Sequence, residues 1–437
     1  MTPGPCRRTL AMPGRPAADT VGAGAPVGSG RLPPPVGLYL HVPFCVSLCP
    51  YCDFPVVTGR STRGPGSRMP RFVAALHVEL DLRADALDAS VGTGRSGLET
   101  VYLGGGTPSL LGAAAVGGLL EHVARRFGIA ADAEITLEAN PGPAERGDLA
   151  GIRAAGVTRL SLGAQSLQAA ELRALGRRHH PEDVANAVGE VRAAGFPSLS
   201  LDLLTDVPGQ TVVSWRATLE ATLALAPDHV SAYVLTLEDP DADGLTGPSG
   251  DHLPVRAGAR RWRERARRAQ DEDRAAEMDA LTDALLAPAG FVRYELSNHA
   301  RPGHESRHNL GYWRRQPMAA VGPGAHAFDG VAARSWNAAR LDGWLAALEP
   351  DGDRTGPAQL PPGGRTPLGD VDIRVERAIL GLRLSDGIDA EVAADPLVAP
   401  ALAWAEESGL AEHAEGRHRL TPRGRLLSNE VLRRMLP

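Results

Sequence analysis

The 437-residue chain has no lysine, so all 46 of its basic residues are arginine. The replacement runs through the whole length and reads as a coding bias without functional content. Positive charge is also short overall: 52 acidic residues leave a net charge of −6, with pI near 6.1. A surface made to follow a phosphate backbone shows the opposite balance, so no nucleic-acid partner is expected. Long apolar runs are missing too. None reaches the length of a bilayer span, and the first thirty residues lack the apolar core of a secretory signal. The expected location is the cytoplasm, a reducing compartment. What is present is 43% hydrophobic residues, enough to fill one large α/β domain and a smaller companion.

Cysteine is scarce, and its placement carries the most information. Three of the four cysteines, Cys45, Cys49 and Cys52, lie in the run LHVPFCVSLCPYCDF, and the fourth is Cys6. Three clustered thiols cannot pair evenly as disulfides, and no signal segment precedes them. Zinc needs a fourth ligand, for which His41 and Cys6 are the candidates. A 4Fe-4S cluster is normally closed by four thiolates, so three in one loop leave one iron for an outside ligand. The odd count favours the cluster, with zinc as the open alternative.

Residues 1–36 are rich in Pro, Gly and Ala and read as a disordered tail. From residue 37 a β-then-α rhythm sets in, with strand-like runs at 37–42, 100–104, 134–138, 157–163, 198–204 and 229–236. Helical spacing marks 72–87, 110–127, 184–194 and 213–225. This alternation predicts a parallel sheet covered by helices. Segments 58–68 and 239–251 read as surface loops. The arginine-dense stretch 256–268, continued by the acidic DEDRAAEMDALTDALL, reads as a solvated helix. The expected divisions are a core over 37–290, an extension over 291–350, a linker of Gly, Pro and Arg over 351–369, and a winged-helix-like α+β domain over 370–437. That last part shows helices at 376–384 and 392–408, then two short strands and a helix. It has no marked basic surplus, so a lid or partner-docking role suits it at least as well as DNA binding.

In barrels of parallel strands the reactive groups sit at the carboxyl ends of the strands. The cysteine loop follows the first strand, Gly104-Gly105-Gly106-Thr107-Pro108 the second, and Glu138 with Asn140 ends the third. Gln165 and Ser166 end the fourth, Asp202 lies on the fifth, and Thr236 with Glu238 closes the sixth. Singly, a triple glycine is most often a tight turn and a strand-end carboxylate is often just solvated. Their shared address predicts a ligand laid across the strand ends. Glu138 suits ribose hydroxyls, while Gln165, Arg177 and Asp202 suit a charged amino-acid tail or a second ligand. For Arg177, within Gly-Arg-Arg-His-His, a solvated loop is an equal alternative.

The CxxxCxxC loop preceded by Tyr39-Leu40-His41, with Gly-Gly-Gly-Thr-Pro, Glu-Ala-Asn-Pro at 138–141 and Leu-Gly-Ala-Gln-Ser at 162–166, resembles the radical S-adenosylmethionine superfamily. Further stretches at 201–211, 294–298 and 322–326 resemble its coproporphyrinogen oxidase-like branch. The resemblance implies a partial (β/α)6 TIM-like barrel in which Cys45, Cys49 and Cys52 bind three irons. The fourth iron would chelate S-adenosylmethionine, and one electron from the cluster would then cleave its sulfonium to methionine and a 5′-deoxyadenosyl radical. By position it implies that Tyr39, Tyr51, Gly105, Gly106, Thr107 and Glu138 contact S-adenosylmethionine, with Gln165, Arg177 and Asp202 further out in the same cavity.

Within the branch, the coproporphyrinogen dehydrogenases carry another cysteine where this chain has Phe54, and a structured N-terminal extension that the tail does not resemble. The heme chaperone type looks like Cys-Pro-Tyr-Cys-Asp-Phe followed later by His-Asn-x-x-Tyr-Trp, and both are present. The resemblance thus implies heme bound at His308, Asn309, Tyr312 and Trp313, with the imidazole as axial ligand and the rings as a flat surface. The alternative is that His308 and Asn309 hold a loop while the rings pack in the core. His299, His304 and His326 are further candidate ligands. Thr205-Asp206 departs from the branch, which more often has an aromatic or aliphatic residue and then glycine. The implied partners are heme, an acceptor protein, an electron donor, and a transient membrane or respiratory-protein contact. A radical enzyme acting on a tetrapyrrole, as dehydrogenase or methyltransferase, is the competing expectation.

Overall fold

The computed structural model describes residues 32–62, 64, 66–349 and 358–436. Most of the tail expected over 1–36, with Cys6, lies outside the described residues. Six parallel strands stand side by side in chain order: β1 (Gly37–Val42), β2 (Leu98–Gly105), β3 (Ile129–Ala139), β4 (Arg159–Gln165), β5 (Ser198–Thr205) and β6 (His229–Val234). Helices run between them, among them Met69–Val91, Ala113–Phe127, Pro181–Ala193 and Val212–Ala224. This is the partial (β/α)6 barrel. The sheet stays open and is extended at both edges. Past β6 lie β7 (Val292–Arg293) and β8 (Asn298–Ala300). Beside β1 lie β9 (Met318–Val321), β10 (His326–Phe328), β11 (Ala333–Asn337) and β12 (Gly363–Pro367). The stretch expected as a linker therefore contains an edge strand, β12, hydrogen-bonded along β11.

Strand alternation gives the sheet two unlike faces. Leu38, Leu40, Val101, Leu103, Leu137, Leu160, Leu201 and Val230 point outward and join helix residues such as Leu76, Leu119, Val188 and Trp215 in the main core. The alternate positions, Tyr39, Tyr102, Glu138, Ser161, Asp202 and Tyr233, line an inner face. Parallel strands covered on both sides usually read as continuous apolar runs. A polar inner face marks a lumen instead of a second core.

The C-terminal part has its own core of Val375, Ile379, Val398, Leu402, Val431 and Leu432. Its three strands, β13 (Ile388–Asp389), β14 (Ala411–Ala414) and β15 (Arg417–Leu420), lie in the order β13-β15-β14. The helix expected over 392–408 is two, Ala390–Ala393 and Ala399–Glu407. Pro396 falls in the break, and Pro400 sits in the first turn of the second helix, where its missing N–H costs nothing.

Candidate functional site

After β1 the chain makes the cysteine loop and folds back on itself. Cys45 N–H donates to Val57 O (3.0 Å) and Val57 N–H to Pro43 O (2.6 Å). The β2 glycines meet this loop. A Cβ on Gly106 would lie 2.7 Å from Phe44 O and 2.8 Å from Val42 O, so only glycine lets the two segments close. At this point the glycines allow the close approach of the protein to itself. The loop is held from the other side by Arg263, in helix Ala257–Ala269. Its guanidinium donates to Pro50 O (3.0 Å), Tyr51 O (3.2 Å), Cys52 O (2.9 Å) and Glu238 O (2.6 Å), and pairs with Asp53. The stretch read as a solvated helix thus hides one buried arginine with a defined task.

Two polar groups address the sulfurs. Thr107 Oγ1 lies 3.5 Å from Cys45 Sγ, and an Arg177 N–H donates to Cys49 Sγ at 3.4 Å. Asn140 joins them, donating to Thr107 Oγ1 (3.1 Å) and accepting from Arg177, which also donates to Gly163 O (2.8 Å). Arg177 is therefore part of the site and not of a solvated loop. Burial pushes the Cys45 thiol up to about 12, against the Thr107 hydroxyl, and raises Cys52 further. His41, the candidate fourth ligand for zinc, has both ring nitrogens occupied, by Tyr39 Oη (3.1 Å) and Pro55 O (3.1 Å). Among the described residues no three His, Cys, Asp or Glu side chains converge on a point where a single metal ion could sit. A cubane cluster, whose thiolates bind different irons, makes no such demand.

Deeper in the lumen, Glu138 accepts from Tyr102 Oη (2.7 Å) and Gly105 N–H (2.9 Å), and burial pushes its carboxyl up to about 7. Asp202 accepts from Ser161 (2.8 Å) and Ser200 (3.0 Å), and burial raises it as well. Gln165 takes a left-handed backbone, φ 65°, and its side-chain oxygen lies 3.4 Å from Tyr233 Oη. Tyr51 packs against Trp262 with ring centroids 6.2 Å apart. Tyr233 and Tyr312 point inward yet remain 38% and 37% exposed, so the lumen is open.

At the far end of the barrel, Ser306 caps the short helix Arg307–Trp313. His308 is buried, with Nδ1 2.8 Å from Thr100 Oγ1 and Nε2 3.0 Å from Tyr312 Oη, and burial lowers its pKa to about 3. The imidazole is thus neutral and faces the lumen beside Tyr102, centroids 5.1 Å apart. Trp313 turns away from it. The Arg383 guanidinium of the C-terminal part stacks 4.6 Å from its ring centroid. Tyr312 and Trp313 therefore do not share one flat surface, because neighbouring helix residues point about 100° apart. Asn309 contributes its backbone N–H to the Ser306 cap (3.4 Å). Of the other histidines, His299 bonds Asp283 (3.0 Å), His304 lies 3.2 Å from Ser198 Oγ, and His326 pairs with Asp251 (2.8 Å).

Residues 39–222 match the radical SAM superfamily, and 371–427 match the HemN C-terminal domain. The heme chaperone HemW of Mycobacterium tuberculosis is 39% identical over 408 residues, which cover 92% of this chain and 95% of that one. The heme chaperone HemW of Escherichia coli is 36% identical over 293 residues, 67% of this chain and 70% of its own length. The Bos taurus mitochondrial radical S-adenosyl methionine domain-containing protein 1 is 37% identical over 86% of this chain and 78% of its own. Among solved structures, the E. coli coproporphyrinogen III oxidase HemN superposes with a TM-score of 0.72 at 23% identity. It covers 93% of this chain and 91% of its own, a likeness of fold.

Proposed function

We propose a function from one premise: the chain belongs to the radical SAM superfamily and, within it, to the heme chaperone HemW family. On this reading the protein works in the cytoplasm, binds heme together with a 4Fe-4S cluster and S-adenosylmethionine, and passes the heme to an acceptor protein. One observation carries it: a polar, open lumen has three thiols at its mouth, two of them met by directed hydrogen-bond donors, and a neutral imidazole at its floor. Cys45, Cys49 and Cys52 would hold the cluster, which Thr107 and Arg177 favour by donating to the sulfurs. When bound, the cluster and S-adenosylmethionine supply one-electron and radical chemistry. Tyr39, Tyr51, Gly105, Gly106, Thr107 and Glu138 would surround S-adenosylmethionine, with Gln165, Arg177 and Asp202 further out.

The Glu138 carboxylate suits ribose hydroxyls, and Gly105 N–H orients it. His308 needs no deprotonation to bind iron. It must only release Tyr312, whose ring then lies free along the lumen wall, while Asn309 keeps the helix start fixed. Trp313 serves by anchoring the C-terminal part at the floor, where that part acts as a lid or docking surface for the acceptor. An electron donor would approach the mouth, and contact with a membrane or respiratory protein would be transient. Among the described residues no helix is long and apolar enough to cross a membrane.

The test is anaerobic reconstitution with iron and sulfide, then heme titration followed in the Soret region for the intact chain and His308→Ala. Stoichiometric binding is expected, weakened about tenfold or more by the substitution, with no consumption of coproporphyrinogen III. Absence of heme binding with substrate-dependent cleavage of S-adenosylmethionine would make this a radical enzyme instead.

A further inference from the structure

Arg159 opens β4 and is only 4% exposed, yet it makes no direct ion pair. Its Nε–H is buried with no hydrogen-bond partner, and among the described residues no carboxylate pairs with the guanidinium. The alternation that sends Leu160 and Leu162 into the outer core turns Arg159, like Ser161, into the lumen. Its register neighbours there are Thr136 on β3 and Ser198 on β5.

Acid is not lacking in this space, but all of it is taken. Glu138 is held by Tyr102 and Gly105, and Asp202 by Ser161 and Ser200. Glu134 accepts the backbone N–H groups of Arg307 (3.1 Å) and His308 (3.2 Å). Neutral donors thus hydrogen-bond every nearby carboxylate, and although Glu138 and Asp202 attract the Arg159 guanidinium through space, neither pairs with it directly. A carboxylate arriving from outside would supply the direct partner that the ligand-free fold does not.

We propose that Arg159 is a carboxylate anchor at the lumen floor and receives a propionate of the bound tetrapyrrole. The inference rests on the heme reading above. A guanidinium offers the paired N–H geometry that a carboxylate accepts. S-adenosylmethionine also carries a carboxylate, but position separates the two sources. The cysteine loop lies past the carboxyl end of β1, whereas Arg159 stands at the amino end of β4, roughly 20 Å away along a seven-residue strand. His308 shares that floor. It packs on Tyr102, which pairs through Thr136 with Arg159. One end of the lumen therefore presents an iron ligand and an acid receptor together.

The experiment compares heme with its dimethyl ester, which lacks both carboxylates, on the intact chain and on Arg159→Gln, Arg159→Met and Arg159→Lys. The intact chain is expected to prefer the free acid by roughly ten- to a hundredfold. Arg159→Gln and Arg159→Met should lose that preference and Arg159→Lys keep most of it. All three variants should keep the far-ultraviolet spectrum of the parent, whereas a purely structural role predicts failure to fold without any change in the preference of the folded fraction for acid over ester. A preference that persists in Arg159→Gln overturns the anchor. Equal binding of acid and ester by the intact chain overturns it as well, while leaving the heme function standing. Binding of neither removes the heme reading and the anchor with it. S-adenosylmethionine affinity that falls in Arg159→Gln while ester discrimination is unchanged would assign the anchor to the other carboxylate and refute the proposal.

Discussion

Arg263 uses all three guanidinium nitrogens on the loop and its surroundings: Nε on Pro50 O, one terminal nitrogen on Glu238 O, the other on Tyr51 O, Cys52 O and Asp53. No other side chain carries five donors in a fixed fork. Without it, loop carbonyls beside two cluster cysteines lose their partners, and the thiols lose their fixed spacing. Arg263→Gln should therefore take up several-fold less iron and sulfide per chain on reconstitution while keeping its far-ultraviolet spectrum. Full iron content in that variant would show that the loop holds itself. Composition could not single out this residue, since arginines crowd the segment 256–268. A helical stripe could have: Ala259, Arg263 and Ala266 fall on one face at i, i+4 and i+7, which makes Arg263 the charged residue on an otherwise small, packable side. Arg159 was hidden differently. It begins an apolar-looking strand, and only the two-faced sheet shows that its side chain enters the lumen.

Between elements, the C-terminal part is fastened by charge. Glu376, in helix Asp370–Gly381 and 2% exposed, pairs with Arg315 at 3.3 Å and with Arg334, which belongs to β11. Arg425 to Asp283 (2.8 Å) and Ser385 Oγ to Arg293 O (2.9 Å) close the same junction. Glu376→Ala would leave two guanidiniums facing each other. The cost should be about 3 kcal/mol, the low end for a broken buried pair because Arg334 keeps contact with water. Hydrogen exchange should read this as lost protection in helix Asp370–Gly381 while the barrel strands stay protected; unchanged exchange would place the fastening elsewhere. At this scale the sequence told most about the elements that bury an apolar stripe. β1 to β6 and their helices were legible because each alternates into one core between turn residues. β12 was not, since Gly363–Pro367 joins the sheet through backbone hydrogen bonds alone and has no alternation to read. The cysteine, glycine and Glu138 positions were legible as strand ends. The partner of Trp313, the Arg383 guanidinium, was not, because it depends on where the C-terminal part docks.

The whole molecule keeps an unusual number of imidazoles uncharged. Burial lowers His41 and His179 to about 4 and His308 to about 3, and it also lowers His77, His229 and His299. Each of these groups takes up a proton near pH 6.5 once unfolded but resists it when folded. Below that pH the unfolded chain binds more protons, so stability falls with acidification until the folded values are reached. Two kinds of group oppose this. Burial lowers His252 but its bond to Asp251 outweighs that and raises it, so its contribution is present at low pH and fades as pH rises. Glu138, pushed up to about 7, is costlier to ionise in the fold than in the open chain, so its effect also favours lower pH, between about 4.5 and 7. Burial raises Asp53, Asp202 and Glu295 as well, in the same direction as Glu138, and the six lowered histidines outnumber these opposing groups. The ligand-free protein should melt several degrees lower at pH 6 than at pH 7, as followed by calorimetry, and Glu138→Gln should steepen the decline by removing an opposing group. A melting temperature that is flat or rises toward pH 6 would mean that the imidazoles, His308 among them, are not held neutral. The lumen floor would then not present iron with a ready ligand.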